Sequence, residues 1–183
     1  MGEGIKALGK CPHGVKGLGR NGQWVVLFRM GNSITGIFGV ILGATLASRG
    51  LPHGEVAAIT FLHAFSVMTF MFSWNALNDL LDVEIDRINR PERPLPSGKI
   101  TIKSAKTGVA ITGLSSIFSL LAAGYIAWSG ETGLSNWIPA LGIWGFALLL
   151  LFNYESPSRL SLRMKEKGLP GNIAISLSVG LVI

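Results

Sequence analysis

The chain has 183 residues, 49% of them hydrophobic and only 14% charged, with a mean hydropathy of +0.47. Ordinary soluble domains carry about 25% charged residues, and a soluble fold of this size has too little interior to hide so much apolar surface, so the composition points to a membrane protein. The net charge of +6 does not argue for nucleic acid, because the basic residues lie between apolar spans, and the single cysteine, Cys11, excludes an internal disulfide framework and a cysteine metal cluster.

Residues 1–23 read as a polar N-terminal extension. They are rich in Gly and Lys and hold no apolar run of the kind a cleavable signal peptide needs. From residue 24 to 183 the pattern is that of a membrane domain. A spanning helix needs about 20 mostly apolar residues. Four segments qualify: Trp24 to Ala47, interrupted by Arg29 and Asn32; Val56 to Leu77; Thr107 to Trp128; and Trp137 to Phe152. A fifth begins near Asn172. From Ile173 to Ile183 it offers eleven residues, about half a crossing. A chain end there would leave carbonyls and the terminal carboxylate in hydrocarbon, so the sequence reads as the N-terminal part of something larger, with a short re-entrant or interfacial helix as the alternative. The expected fold is an all-α, polytopic transmembrane helix bundle with four complete spans and the start of a fifth.

Charge sorts the loops. Basic residues gather before the first span, between the second and third (Arg87, Arg90, Arg93, Lys99, Lys103, Lys106) and after the fourth (Arg159, Arg163, Lys165, Lys167). The two remaining loops hold one Arg and two Glu. Under alternating threading every basic loop falls on one side, which the positive-inside rule makes cytoplasmic in the cell membrane. Trp128 and Trp137 flank an outer loop and read as interfacial anchors.

The second span runs into NALNDLLDVEIDRINRPERPLPSGKI, residues 75–100, which packs five acidic residues, four basic ones and three prolines at the mouth of an apolar helix. Asn78, Asp82 and Asp86 are spaced i, i+4, i+8, which on a continuous helix is one face, and Asn75 joins it. Asp79 is turned about 100° from that stripe. Such hard oxygen ligands suit Mg²⁺, which binds through a few carboxylates while a phosphate supplies further oxygens. The bland alternative is a solvated acidic helix end, but a polar cluster where a span leaves the membrane is by default a functional site. Arg87, Arg90, Arg93 and Lys99 follow. Arg90 and Arg93, each directly before a proline that stiffens the loop, are read as phosphate ligands with Lys99. Lys103 and Lys106 are read as topology charges without a ligand. Arg29 and Asn32 either donate to a diphosphate or acceptor, or, for Arg29, snorkel to the cytoplasmic face. His63, about 22 Å up the helix from Asn78, is read as a packed polar residue.

The segment NDLLDVEIDRINRPERPLPSG resembles the first aspartate-rich signature of the UbiA superfamily of intramembrane prenyltransferases, at Asn78, Asp79, Asp82, Asp86, Arg90, Pro91, Arg93, Pro94, Pro96, Ser97 and Gly98. NYESPSRLSLRMKEKGLPGNIAIS is similar to the next cytoplasmic loop of that family, and LFRMGNSITGIFGVILGATLAS to its first span. The resemblance implies a helical fold of usually nine spans and two aspartate-rich motifs, of which this chain holds the first. It also implies Mg²⁺-dependent transfer of a polyprenyl group from its diphosphate to a lipid-soluble acceptor. It places Asp79 with Asn78, Asp82 and Asp86 at the metal. It adds Tyr154 and Lys165 as site residues; Tyr154 reads equally as an interfacial aromatic anchor. Within the family, EIDRINRPERPLPSGKI is most similar to archaeal enzymes that attach a second geranylgeranyl chain to geranylgeranylglyceryl phosphate in ether-lipid synthesis. Acceptors such as aromatic quinone precursors or chlorophyllides stay open. So does a non-enzymatic cation-binding transporter fragment. Membrane phosphatidyl-alcohol transferases are set aside, because their Asp-Gly and Ala-Arg pairs are absent.

Overall fold

The computed structural model describes residues 19–155, 168–169, 172–173 and 176–177. Among these there is no strand. Six helices follow in chain order: α1 Arg20–Leu27, α2 Met30–Ala47, α3 Gly54–Leu81, α4 Val83–Asn89, α5 Ile102–Ser129 and α6 Leu134–Glu155. Four of them, α2, α3, α5 and α6, are long and apolar enough to cross a membrane, as composition and spacing require. Residues 172–173 and 176–177 are helical, and the rest of the expected fifth span lies outside the described residues.

Helix α3 is the central element, with α5 antiparallel on one side, α2 on another, and α6 against α5. In lipid, apolar surface gives no net attraction between helices, so close approach and interhelical hydrogen bonds must supply it. The α3–α5 seam does both. Ser66 Oγ donates to the Ser116 carbonyl at 2.9 Å, and Ser116 Oγ donates back to the Ser66 carbonyl at 2.8 Å. Ser119 donates to the Leu62 carbonyl at 2.8 Å and Ser73 to the Val109 carbonyl at 3.0 Å. Gly113 lets Ser73 in: a Cβ there would stand 3.1 Å from the Ser73 hydroxyl. At the far end, the Glu55 carboxylate accepts from the backbone N–H groups of Glu131 (2.7 Å) and Thr132 (3.1 Å), so the first turn of α3 holds the α5–α6 loop.

Two expectations are corrected here. Trp137 is not an interfacial anchor: it is 7% exposed, in a cluster with Leu120, Ala123 and Ala127. Gly124 makes the room, since a Cβ on it would come within 2.8–2.9 Å of the indole ring. Trp128 does stay exposed. The first span is not one interrupted helix either. It breaks at Phe28 and Arg29, where Arg29 adopts the left-handed conformation (φ 46, ψ 51), separating α1 from α2.

Candidate active site

Three breaks in the helices build the site. At the first, the Phe28 carbonyl leaves the helical ladder and accepts from Asn75 Nδ2 on α3 (3.1 Å) and from Ser33 Oγ on α2 (3.2 Å). A freed backbone carbonyl in a membrane must find a donor; here Asn75 and Ser33 both supply one, and Asn75 pins the break to α3. At the second, α3 ends at Leu81 and Asp82 (φ −90, ψ 4) separates it from α4. The third is the turn-rich segment 90–101. Its Leu95 and Ile100 are buried with Leu27, Ala76 and Ala105, which fixes the loop against the ends of α1, α3 and α5. The Ile100 N–H donates to the Pro94 carbonyl (3.0 Å), and Gly98, at φ +72, takes the left-handed turn that glycine allows without strain.

These breaks bring four charges together. Asp79 and Asp86 are 5% and 6% exposed. Arg93 Nη1 donates to Asp86 Oδ2 at 2.5 Å and to Asp79 Oδ1 at 3.3 Å. Arg29 Nη2 donates to the same Asp79 oxygen at 2.8 Å, with Asn78 Oδ1 at 3.4 Å. Two buried carboxylates are thus matched by two guanidinium groups from separate segments, as burial of charge demands. Asp82 is half-buried at the junction between α3 and α4. The oxygens of Asn78, Asp79, Asp82 and Asp86 are of the hard type that Mg²⁺ takes, and those of Asp79 and Asp86 are engaged by Arg29 and Arg93. Among the described residues no three acidic, His or Cys side chains converge into a group that could cage a metal ion.

A model of the UbiA prenyltransferase family matches residues 36–183, four-fifths of the sequence and the whole of the carboxylate segment. The chain belongs to the UbiA prenyltransferase family. Its UbiA relatives include the digeranylgeranylglyceryl phosphate synthase of Ignicoccus hospitalis, 32% identical over 161 residues, covering 87% of this chain and 45% of the relative. Those of Thermococcus kodakarensis and Methanocaldococcus jannaschii are 33% identical over 148 residues (80% and 45% of the two chains) and 42% identical over 89 residues (48% and 30%). A solved structure described as digeranylgeranylglyceryl phosphate synthase in membranes matches at a TM-score of 0.64 and 30% identity, over 89% of this chain and 50% of that one. The chain spans half the length, or less, of the relatives it matches.

The UbiA signature residues group differently from the stripe expected of Asn75, Asn78, Asp82 and Asp86. Asp79 and Asp86 are seven residues apart, which on a helix brings them within about 20° of one another, and the i→i−4 bonds from Asp82 to Asn78 and from Asp86 to Asp82 carry that relation through the α3–α4 junction. Asp79, expected to point away, is bound with Asp86 to one guanidinium. Asn75, expected on the stripe, turns instead to Phe28 and Ser33. Arg29 ion-pairs with Asp79. Arg90 and Lys99 are exposed on the same loop as Arg93, outside its ion pairs. Asn32 is exposed on α2, its carbonyl accepting from Thr35 at 2.5 Å, and is not drawn into the cluster. Tyr154 is half-buried near the end of α6, and Lys165 lies outside the described residues. His63 is half-buried, well up α3 from the cluster.

Proposed function

We propose that the protein transfers a geranylgeranyl group from its diphosphate to geranylgeranylglyceryl phosphate, with Mg²⁺, as part of archaeal ether-lipid synthesis. The observation that carries the reading is the Arg29–Asp79–Arg93–Asp86 cluster at the ends of membrane-length helices, within a chain whose UbiA relatives are named for this product. In transfer, the bond between the allylic carbon and the diphosphate oxygen breaks, and the electron pair leaves with the diphosphate. The acceptor hydroxyl oxygen forms the new bond to that carbon and loses its proton. Asn78, Asp82 and Asp86, with Asp79, would hold Mg²⁺. When bound, the ion would offset negative charge on the departing diphosphate. Arg93, Arg90 and Lys99 supply further positive charge from the loop, and Tyr154 and Lys165 are assigned to the same site by the family motif. The apolar helices hold the isoprenoid tails and keep water from the electron-poor carbon.

Residues 1–23 are proposed as a polar extension of a membrane domain over 24–183, in the cell membrane, with the basic loops cytoplasmic. The test is prenyl transfer by the gene product in membranes of a host that lacks the activity, using labelled geranylgeranyl diphosphate and geranylgeranylglyceryl phosphate. The expected result is a diether product that disappears with EDTA and returns with Mg²⁺. Transfer to an aromatic acceptor in place of the glyceryl phosphate, or product formation that ignores EDTA, would overturn the assignment.

A further inference from the structure

Lys103 is read from sequence as a topology charge without a ligand. The fold gives it a setting. A cavity of about 490 Å³ opens between α1 and the start of α5, lined by Trp24 and Phe28 on one side and by Lys103, Ser104, Thr107 and Ile111 on the other. Trp24 comes close to Gly108, where a Cβ would stand 2.7 Å from Trp24 Cζ3 and 3.5 Å from Phe28 Cζ, so the two aromatic rings line the cavity where that glycine leaves room. Lys103 is exposed at its rim. Among the described residues Lys99, Lys103 and Lys106 make no ion pair, unlike Arg29, Arg87 and Arg93. Ser104 Oγ accepts from the Thr101 hydroxyl at 2.9 Å and keeps its own proton to give. From Lys103 to Ile111 is about 12 Å along the helix, from a cationic end to an exposed apolar one.

We propose that this cavity binds a membrane phospholipid with an anionic headgroup. The phosphate sits against Lys103 and Ser104, and the first part of a chain lies along Trp24 and Ile111. Charge complementarity selects the headgroup, since basic pockets between membrane helices on the side of the basic loops attract anionic lipids. The apolar wall selects a lipid over free phosphate, which gains nothing from Trp24 or Ile111. Trp24 suits the headgroup level, where indoles are enriched. The cavity uses no residue of the carboxylate cluster, so the proposal stands or falls apart from the prenyl-transfer reading.

The test uses the gene product in phosphatidylcholine nanodiscs containing a small fraction of brominated lipid, either phosphatidylglycerol or phosphatidylcholine. Quenching of Trp24 is isolated by subtracting the signal of Trp24→Phe, because the chain has five tryptophans. Brominated phosphatidylglycerol is expected to quench at about fivefold lower mole fraction than brominated phosphatidylcholine, the worth of one lysine near an anionic surface. Lys103→Gln, a change at an exposed side chain, should remove that preference. Thr107→Phe keeps the charge but fills the cavity and should remove it too. Millimolar inorganic phosphate should leave it intact. Equal quenching by the two lipids, or a preference that survives either substitution or yields to free phosphate, would overturn the proposal.

Discussion

Asp79 and Asp86 sit on different helices, and one guanidinium, that of Arg93, reaches both. Removing it leaves two buried carboxylates with only Arg29 near, so Arg93→Gln should cost about 3 kcal/mol of stability, the low end for a broken buried pair. Thermal unfolding in detergent measures this. Glu84→Gln is the control. Its pair with Arg87 is exposed on both sides, so the change should be under about 0.5 kcal/mol, with little effect on turnover. Equal effects of the two substitutions would show that Arg93 does not hold the cluster. For activity, Asp82→Asn and Asp86→Asn remove one charge each with the side-chain shape kept, and each should lower prenyl transfer by about 10²-fold or more. Asp79→Asn is expected to fall with them, because Asp79 shares Arg93 with Asp86. The residue types at this site were legible from their density at a helix end. Their partnerships were not, since Arg29 and Asp79 are 50 positions apart.

At the scale of elements, the helices are set by apolar length, and their ends by a few polar side chains. Asn75 on α3 and Ser33 on α2 are the donors that make the α1–α2 break tolerable. Asn75→Ala removes one of the two donors to the Phe28 carbonyl and leaves Ser33 Oγ, so it should cost about 1 kcal/mol, the net worth of one hydrogen bond, and should weaken prenyl transfer through Arg29, next in the chain after Phe28. Asn75→Asp offers no amide donor and should not restore either property; full restoration by Asp would remove Asn75 from this role. At the α5–α6 contact, Gly124→Val would push a side chain into Trp137 and should cost about 1–3 kcal/mol by overpacking, whereas Gly142→Val meets open space and should not. Unfolding by SDS titration separates the two. The spans were readable because a membrane crossing is a matter of length and hydropathy. The breaks at Phe28 and Asp82 were not, because neither carries a proline or glycine to announce it; each is held by a tertiary partner or a junction.

For the whole molecule, alternating threading puts the Arg90–Lys99 loop on the opposite side from the α5–α6 loop held by Glu55. In a Cys11→Ser background, Ser97→Cys should resist an impermeant thiol reagent added to intact cells, and Thr132→Cys should react with it. The reverse pattern would invert the proposed orientation. Membrane residence, the helical class, the number of complete spans before residue 155 and the family signature all follow from the sequence itself. The reason is that the bilayer acts on composition locally: each apolar stretch is long enough to span it or is not. Which carboxylates meet which arginines, the burial of Trp137 on Gly124 and the cavity above Lys103 were decided only by tertiary structure. Arg29 lies 50 positions from Asp79, and its place beside that carboxylate depends on what packs against the break at Phe28 rather than on the residues beside it.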